Sequence, residues 1–173
     1  MLTVYEAIVP GWIQLLTGLQ GVLTKAEAHC EQTGAAQEDI AALKLAPDMF
    51  DFAFQVAQTR VHSVGAIAAA RTGTFSPNRT PGPRDFAGMQ AMIDAALADL
   101  AAIDPVDMEA LSTRPMQFSN QDVTIKFTTV KDFFLGFSQP SFYFHVTTAY
   151  ALLRAEGVEI GKRDYMGPLR VAK

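Results

Sequence analysis

The sequence predicts an all-α protein, an up-and-down four-helix bundle with a small β-hairpin inserted before the last helix. Two observations carry this prediction. In four long segments apolar residues recur at alternating steps of three and four, which is the period of a helix with one buried face. Between the third and the fourth of these segments, one short stretch alternates with a period of two instead, as a half-buried strand does.

The composition indicates one globular domain covering residues 1–173. Hydrophobic residues make up 49% of the chain and charged residues 18%, so the chain can bury a sizeable core and is not disordered in composition. The formal net charge of -4 offers no basic field for phosphate backbones, which argues against nucleic acid as a partner. The N-terminus lacks the basic residues of a secretory signal, and Pro10 and several polar residues interrupt its apolar stretch. We therefore expect a cytoplasmic protein without a membrane segment.

The first helix is expected from residue 3 to about residue 32. Gly34 is placed to end it, because a glycine readily adopts the left-handed conformation of a helix C-cap. The lone cysteine, Cys30, is interpreted as a bystander, since neighbouring glutamates oppose thiolate formation. The expected buried stripe is Tyr5, Ile8, Trp12, Leu15, Leu19, Val22 and Ala26.

The second helix is expected to begin near Pro47, which suits a first-turn position, with Asp48 at the positive end of the helix dipole. Asp48, Gln55 and His62 are seven residues apart and fall on nearly the opposite face from the apolar stripe. His62 is therefore expected to be solvated. The expected stripe is Phe50, Phe54, Ala57, Val61, Val64 and Ala68.

Three further segments complete the predicted fold. Residues 71–84 are rich in proline and glycine and predict the longest irregular connection. A third helix is expected over residues 85–103, with Asp104 and Pro105 as its stop. Residues 116–127 alternate between apolar and polar side chains and predict the hairpin, which must pack on the helices to persist. A fourth helix is expected over residues 129–156, with a bend at Pro140 and an end at Gly157.

His145 is the candidate functional residue, because it places an imidazole on a mixed apolar and hydroxyl face of the fourth helix. A neutral imidazole there needs a hydrogen-bond partner, and Asp48 and Gln55 of the second helix are the natural ones. Two interpretations stay open. His145 is either a core residue that joins two helices, or a base or ligand-orienting group in a pocket that binds a small molecule. The candidate pocket comprises His145, Asp48, Gln55 and Thr148.

Other chemistries lack their sequence patterns. The three histidines, His29, His62 and His145, lie on different predicted helices, and none is paired at the spacing of a zinc-binding helix. No nucleophile elbow and no glycine-rich phosphate loop occur. Residues 161–165, which contain a basic pair, are interpreted as a solvated or dimer-facing turn. The aromatic cluster of the fourth helix has too many apolar faces for one buried stripe, so a homodimer is expected.

Five short segments together resemble an uncharacterised bacterial family, domain of unknown function family 1993, which is related to the DinB-like four-helix bundles. The resemblance covers nearly the whole chain. The segments are Lys-Ala-Glu-Ala-His at 25–29, Leu-Ala-Pro-Asp-Met-Phe at 45–50, Gln-Val at 55–56, Phe-His-Val-Thr-Thr-Ala-Tyr at 144–150 and Gly-Lys-Arg-Asp-Tyr at 161–165.

This resemblance implies a DinB-like bundle, often dimeric, with no established activity. Better-known relatives are metal-dependent, and they take one histidine from the second helix and a His-x-x-x-His pair from the fourth. Here Ser141 and Ala149 stand four residues from His145, so no metal ligand is assigned and no cofactor is expected. Two alternatives remain beside small-molecule binding: a divalent-metal-dependent transferase or hydrolase that pairs His145 with carboxylates, and a non-catalytic structural or stress-related interaction protein.

Overall fold

The first helix, α1 (Val4–Thr33), is defined by its two ends. In the computed structural model, which describes residues 2–172, the Thr3 hydroxyl accepts a hydrogen bond from Glu6 N, and the Glu6 carboxylate accepts one from Thr3 N. This reciprocal capping box satisfies two backbone donors. At the other end Gly34 adopts φ +77° and donates its N–H to the Cys30 carbonyl. The observed bounds agree with the predicted ones within one residue.

By length and hydropathy alone α1 could span a membrane. Its apolar face is instead buried inside the protein, where Trp12, Leu16 and Leu19 are among the largest fully buried side chains. A helix of the protein core passes the same test of length and hydropathy. Cys30 is also buried, and burial together with the charge of Glu27 raises the pKa of its thiol, in agreement with an unreactive role.

The second long helical segment begins later than predicted. After the short helix α2 (Gln37–Ala41), Pro47 and Asp48 lie in an irregular connection, and Asp48 is exposed to solvent. The cap is Asp51, whose carboxylate accepts a hydrogen bond from Phe54 N at 3.0 Å. Three consecutive pieces follow: α3 (Phe52–Arg60), a π-helical segment π1 (Val61–Gly65) and α4 (Ala66–Thr72).

The predicted buried stripe of this helix is mostly wrong: Ala57 is buried as expected, but the core takes Phe52, Val56 and Ile67 instead of the other members. Phe50 is 54% exposed, whereas Thr59, His62 and Ser63 are at most 6% exposed. The core accepts the two hydroxyl side chains because both are satisfied inside the helix: Thr59 Oγ1 donates to the Val56 carbonyl and Ser63 Oγ to the Thr59 carbonyl. The expectation that His62 is solvated is therefore also wrong.

The hairpin is confirmed, and a third strand extends it. Strands β2 (Met116–Asn120) and β3 (Val123–Phe127) pair antiparallel, and β1 (Thr74–Phe75), which was not predicted, pairs with β2 in parallel. The sheet order is β1-β2-β3. The sheet is anchored on the helices by aromatic contacts, in which the Phe75 ring lies 5.4 Å from Phe133 and the Phe118 ring 5.2 Å from Phe137.

Two further helices precede the hairpin. Asp85 caps α5 (Phe86–Ala101) by accepting a hydrogen bond from Gly88 N, and the helix begins where the sequence predicts. Asp104 and Pro105 end this helix and also begin another. Asp104 caps the short helix α6 (Pro105–Leu111), and the proline lies in its first turn. α6 was not predicted.

The last long segment consists of α7 (Val130–Phe133), the π-helical segment π2 (Phe134–Ser138) and α8 (Gln139–Ala155). Pro140 falls in the first turn of α8, immediately after the wide turn of π2. The segment ends at Gly157, which has φ +95°. α3 packs mainly on α8, while α1 packs mainly on α5 and on the short last helix, α9 (Lys162–Met166).

α9 is docked on α1 and is not a solvated turn. Lys25 Nζ lies 2.8 Å from Asp164 Oδ1, and Gln14 Nε2 donates to the Met166 carbonyl at 2.8 Å. The two helices lie close together at Gly18, where an added Cβ would lie 2.7 Å from the Tyr165 carbonyl oxygen. The backbone of α9 therefore leaves no room for a side chain at this position.

We predict that Gly18→Ala lowers the free energy of unfolding by about 1–3 kcal/mol, because the new methyl group must displace backbone atoms of α9. Gly21→Ala, three residues further along the same helix, meets nothing within 4 Å and should stabilise the protein by about 0.5–1 kcal/mol through helix propensity. Urea denaturation of both variants measures the difference. Equal effects of the two substitutions would show that α9 is not held against Gly18 in solution.

Candidate functional site

Two imidazoles meet at the contact between the second and the last long helical segments. His62 belongs to π1 and His145 to α8, and their rings stack with centroids 5.4 Å apart and an interplanar angle of 23°. A buried hydrogen bond joins the two π-helical segments beside them, since Ser138 Oγ donates to the His62 carbonyl at 2.7 Å. π-helical turns are rare and are found frequently at functional sites.

Gln55 fixes the protonation pattern of His145. Its Nε2 donates to the Phe50 carbonyl at 3.0 Å, so its Oε1 is the atom that lies 2.7 Å from His145 Nδ1. An amide oxygen only accepts, and therefore His145 Nδ1 must carry the proton. The neutral ring then has its lone pair on Nε2, which can accept a hydrogen bond or a proton from a ligand.

His62 is buried at a cost that its protein contacts do not offset. It is 6% exposed, and its Nδ1 has no hydrogen-bond partner within residues 2–172. Phe75 and Phe137 cover the ring, with centroids 5.3 and 5.9 Å away. A buried polar atom without a partner costs about 1–3 kcal/mol, so its retention in a core calls for an explanation beyond packing.

Both imidazoles are held neutral. Burial lowers the pKa of His62 from its ordinary value of 6.5 to about 4. Burial, and to a smaller extent the neighbouring His62, lowers the pKa of His145 to about 3. Desolvation disfavours the charged form of each ring, and two stacked rings cannot both be charged without repulsion. At neutral pH the pair therefore offers hydrogen-bond acceptors and no positive charge.

The structure brings some of the expected site residues together and separates one of them. Gln55 contacts His145 directly, and Thr148 is buried on α8, three residues after His145. Asp48 lies exposed in the connection before α3 and forms no hydrogen bond through its side chain within the described residues. His62 is the residue that the sequence reasoning missed. Its seven-residue spacing from Gln55 was the available signal, since a face that presents Gln55 to His145 also presents His62.

A cleft of about 210 Å³ is connected to the histidine pair through Phe54. It lies between the start of α3 and the loop that precedes α5. Phe54 lines the cleft and also contacts the histidine pair, because its ring meets the His145 ring edge-on with centroids 6.3 Å apart. Phe144, which is 52% exposed, covers His145 from another side with its ring centroid 5.2 Å away. The lining residues are Lys44, Phe50, Asp51, Ala53, Phe54, Arg79, Pro81, Gly82 and Arg84.

The donor set does not complete a metal site. His62 and His145 supply two imidazoles, and the amide of Gln55 already holds the Nδ1 proton of one of them. Within residues 2–172 no group of three or more His, Cys, Asp or Glu side chains is arranged to hold a metal ion. A typical protein zinc site has at least three such ligands, so the residues present do not fit one.

Comparisons with known proteins give the family and the fold. The family model described as "Domain of unknown function (DUF1993)" matches residues 4–166. Among solved structures the chain is similar to the crystal structure of a DinB family member from Shewanella denitrificans, with 27% sequence identity and a TM-score of 0.81. That match covers 98% of this chain and 94% of the other. No curated protein matches the chain.

We predict that the free energy of unfolding falls as the pH is lowered from 6.5 toward about 4. The unfolded histidines bind protons in this range, whereas His62 and His145 do not until the pH approaches their lowered pKa values of about 4 and 3. The slope is at most about 1.4 kcal/mol per pH unit for each histidine. Urea denaturation at a series of pH values measures it. The double variant with His62→Gln and His145→Gln should lose this part of the slope, and His29→Gln should keep it. The same pH dependence in the double variant and the unsubstituted protein would contradict the prediction.

We also predict that His145 is the Nδ1–H tautomer and that Gln55→Leu abolishes this preference. Leucine removes the oxygen that accepts the proton, so the two tautomers become closer in free energy. The ¹⁵N chemical shifts of the imidazole report the tautomer directly. Gln58→Leu is a matched control, because Gln58 is equally buried on α3 but donates to the Asn78 carbonyl instead. An Nε2–H ring in the unsubstituted protein would exclude the role assigned to Gln55.

Proposed function

Since the chain belongs to the family DUF1993, a family of unknown function, and is similar over its length to a solved DinB family member, we propose that it is a DinB-like four-helix bundle that binds a small molecule beside His145. One observation carries this proposal. Two neutral imidazoles, the buried His62 and the half-buried His145, lie at a helix contact, and Nδ1 of His62 has no partner within the described residues. A core selected only for packing would fill this place with apolar rings.

The geometry favours binding over proton transfer. His145 Nε2 carries a lone pair, but a ring whose pKa is lowered to about 3 is a weak base at neutral pH. It therefore accepts a hydrogen bond from a ligand N–H or O–H group more readily than it takes the proton. Gln55 holds the ring in place, and the exposed aromatic ring of Phe144 provides an apolar contact for the ligand. Asp48 belongs to this proposed pocket only if the connection before α3 moves.

The metal-dependent alternative rests on the same histidine pair. A divalent ion would use the two imidazoles and would have to take its remaining ligands from outside the donor groups that the structure brings together. Adding zinc, nickel or manganese to chelator-treated protein tests this alternative. A rise in melting temperature that is lost in His62→Gln and in His145→Gln would favour it over binding of an organic ligand.

We further propose a cytoplasmic homodimer. Support comes from large apolar side chains that the last long segment exposes, among them Leu135 at 43% and Tyr143 at 37%. A second chain packed there would bury them without any change in the fold. A purely structural role in such a dimer is the third alternative, and in that case the histidine pair has no ligand. Light scattering coupled to size exclusion measures the mass, and a monomer at micromolar concentration would contradict the dimer.

We predict that small-molecule fragments that perturb the His145 imidazole resonances bind at least 10-fold more weakly to His145→Asn. Asparagine keeps a polar side chain but cannot present an acceptor nitrogen at the Nε2 position. Ligand-observed NMR with the full chain measures the affinities. His29→Asn is the matched control, since His29 lies on α1 away from the pair, and it should leave them unchanged. Equal affinities for the unsubstituted protein and His145→Asn would contradict the proposed pocket.

A further inference from the structure

The cleft beside the histidine pair carries an excess of positive charge in an acidic protein. Its lining includes Lys44, Arg79 and Arg84 against a single carboxylate, that of Asp51, whereas the chain as a whole has a formal charge of -4. Arg84 Nη1 pairs with Asp51 Oδ2 at 2.9 Å. The other ion pair among the described residues joins Lys25 to Asp164, so neither Lys44 nor Arg79 is neutralised by a carboxylate there.

The loop that carries Arg79 is held firmly against α3. Gln58, which is 3% exposed, uses its amide Nε2 to donate to the Asn78 carbonyl at 3.0 Å. Gly82 packs so closely on the helix that an added Cβ would lie 2.8 Å from Ala57 Cβ and 3.2 Å from the Ala53 carbonyl oxygen. A buried polar side chain and a glycine contact therefore position the backbone on either side of Arg79, and a ligand that uses this cation does not have to order the loop.

One wall of the cleft is aromatic. The rings of Phe50 and Phe54 stack with centroids 4.0 Å apart and an interplanar angle of 19°, although Phe50 remains 54% exposed. An exposed aromatic pair beside uncompensated cations fits a flat apolar group that bears a negative charge. The volume of about 210 Å³ lies below the roughly 300–1,000 Å³ of pockets for drug-sized ligands, which limits the bound group to about one ring.

We propose that this cleft binds the anionic end of the ligand, a small organic anion whose planar apolar body lies against Phe50 and Phe54 while its charge meets Arg79 and Lys44. The assignment deepens the proposed function and rests on it where it joins the cleft to His145. Two contacts make the connection: the Phe54 ring touches His145, and Gln55, the partner of His145, holds the Phe50 carbonyl. Phe54 and Gln55 thus link the cleft to the histidine pair, although neither histidine lines the cleft.

The test uses titration calorimetry on the full chain with benzoate, phenyl phosphate, the neutral isostere benzamide and inorganic phosphate. We expect at least one aromatic anion to bind, benzamide to bind at least 10-fold more weakly, and the anion affinity to fall between 50 and 500 mM salt, since screening weakens exposed charge pairs, with a Debye length of roughly 10 Å at 0.1 M. Which headgroup binds better separates a carboxylate ligand from a phosphate ester. Inorganic phosphate that binds as tightly as phenyl phosphate would overturn the role of the aromatic wall.

Matched variants locate the binding. Arg79→Gln and Lys44→Gln should each weaken the aromatic anion several-fold, whereas Arg170→Gln and Lys131→Gln, exposed cations away from the cleft, should not. Anion binding that is lost in Arg79→Gln but kept in His145→Asn supports the cleft and removes the proposed function at His145. Benzamide that binds as well as benzoate, with affinity lost in His145→Asn, supports the pocket and overturns the anion assignment. Failure of every aromatic anion to bind at millimolar concentration also overturns it.

Discussion

The hydrogen bond between Gln55 and His145 organises the contact between α3 and α8. The amide oxygen of Gln55 lies 2.7 Å from His145 Nδ1, and its amide nitrogen donates to the Phe50 carbonyl just before α3. A buried imidazole with no partner would be costly at such a contact. With this partner in place the ring has one tautomer and one free acceptor. The start of α3, the wall of the cleft and the histidine pair are therefore parts of one connected arrangement.

The elements that could be predicted from the sequence are those whose ends are encoded locally. Gly34 terminates α1, Asp85 caps α5, and the alternation up to Phe127 sets the hairpin register. Each depends on residues a few positions apart, so no tertiary contact is needed to recognise it. Asp104 carried the same kind of signal for α6, but the proline after it was interpreted as a stop and not as the first turn of a helix.

The buried face of the second helix could not be predicted, because apolar residues lie on more than one of its faces. A stripe through Phe50 and Phe54 competes with one through Phe52 and Val56, and the helix buries the second. Thr59 and Ser63 are buried with it, because their hydroxyls find acceptors within the helix itself. This error also misplaced His62. A regular period of 3.6 also fails within the π-helical turn that carries His62, since that turn contains an extra residue. The candidate site could thus be predicted only in part: the sequence indicates Gln55 and His145 as partners, but it does not indicate the stacked ring of His62.

The misassigned phenylalanines and the unusual histidines are connected physically. Phe50 and Phe54 lie outside the core because the start of α3 buries Phe52 and Val56 instead, and they form the aromatic wall of a cleft that carries uncompensated positive charge. His62 of π1 and His145 of α8 meet nearby, with pKa values lowered to about 4 and 3. A negative charge bound in the cleft would oppose the desolvation that keeps these rings neutral, because an anion nearby favours their protonated forms. An anion in the cleft would therefore raise the pKa of His145 toward its ordinary value, which couples occupancy of the cleft to the proton affinity of the pair.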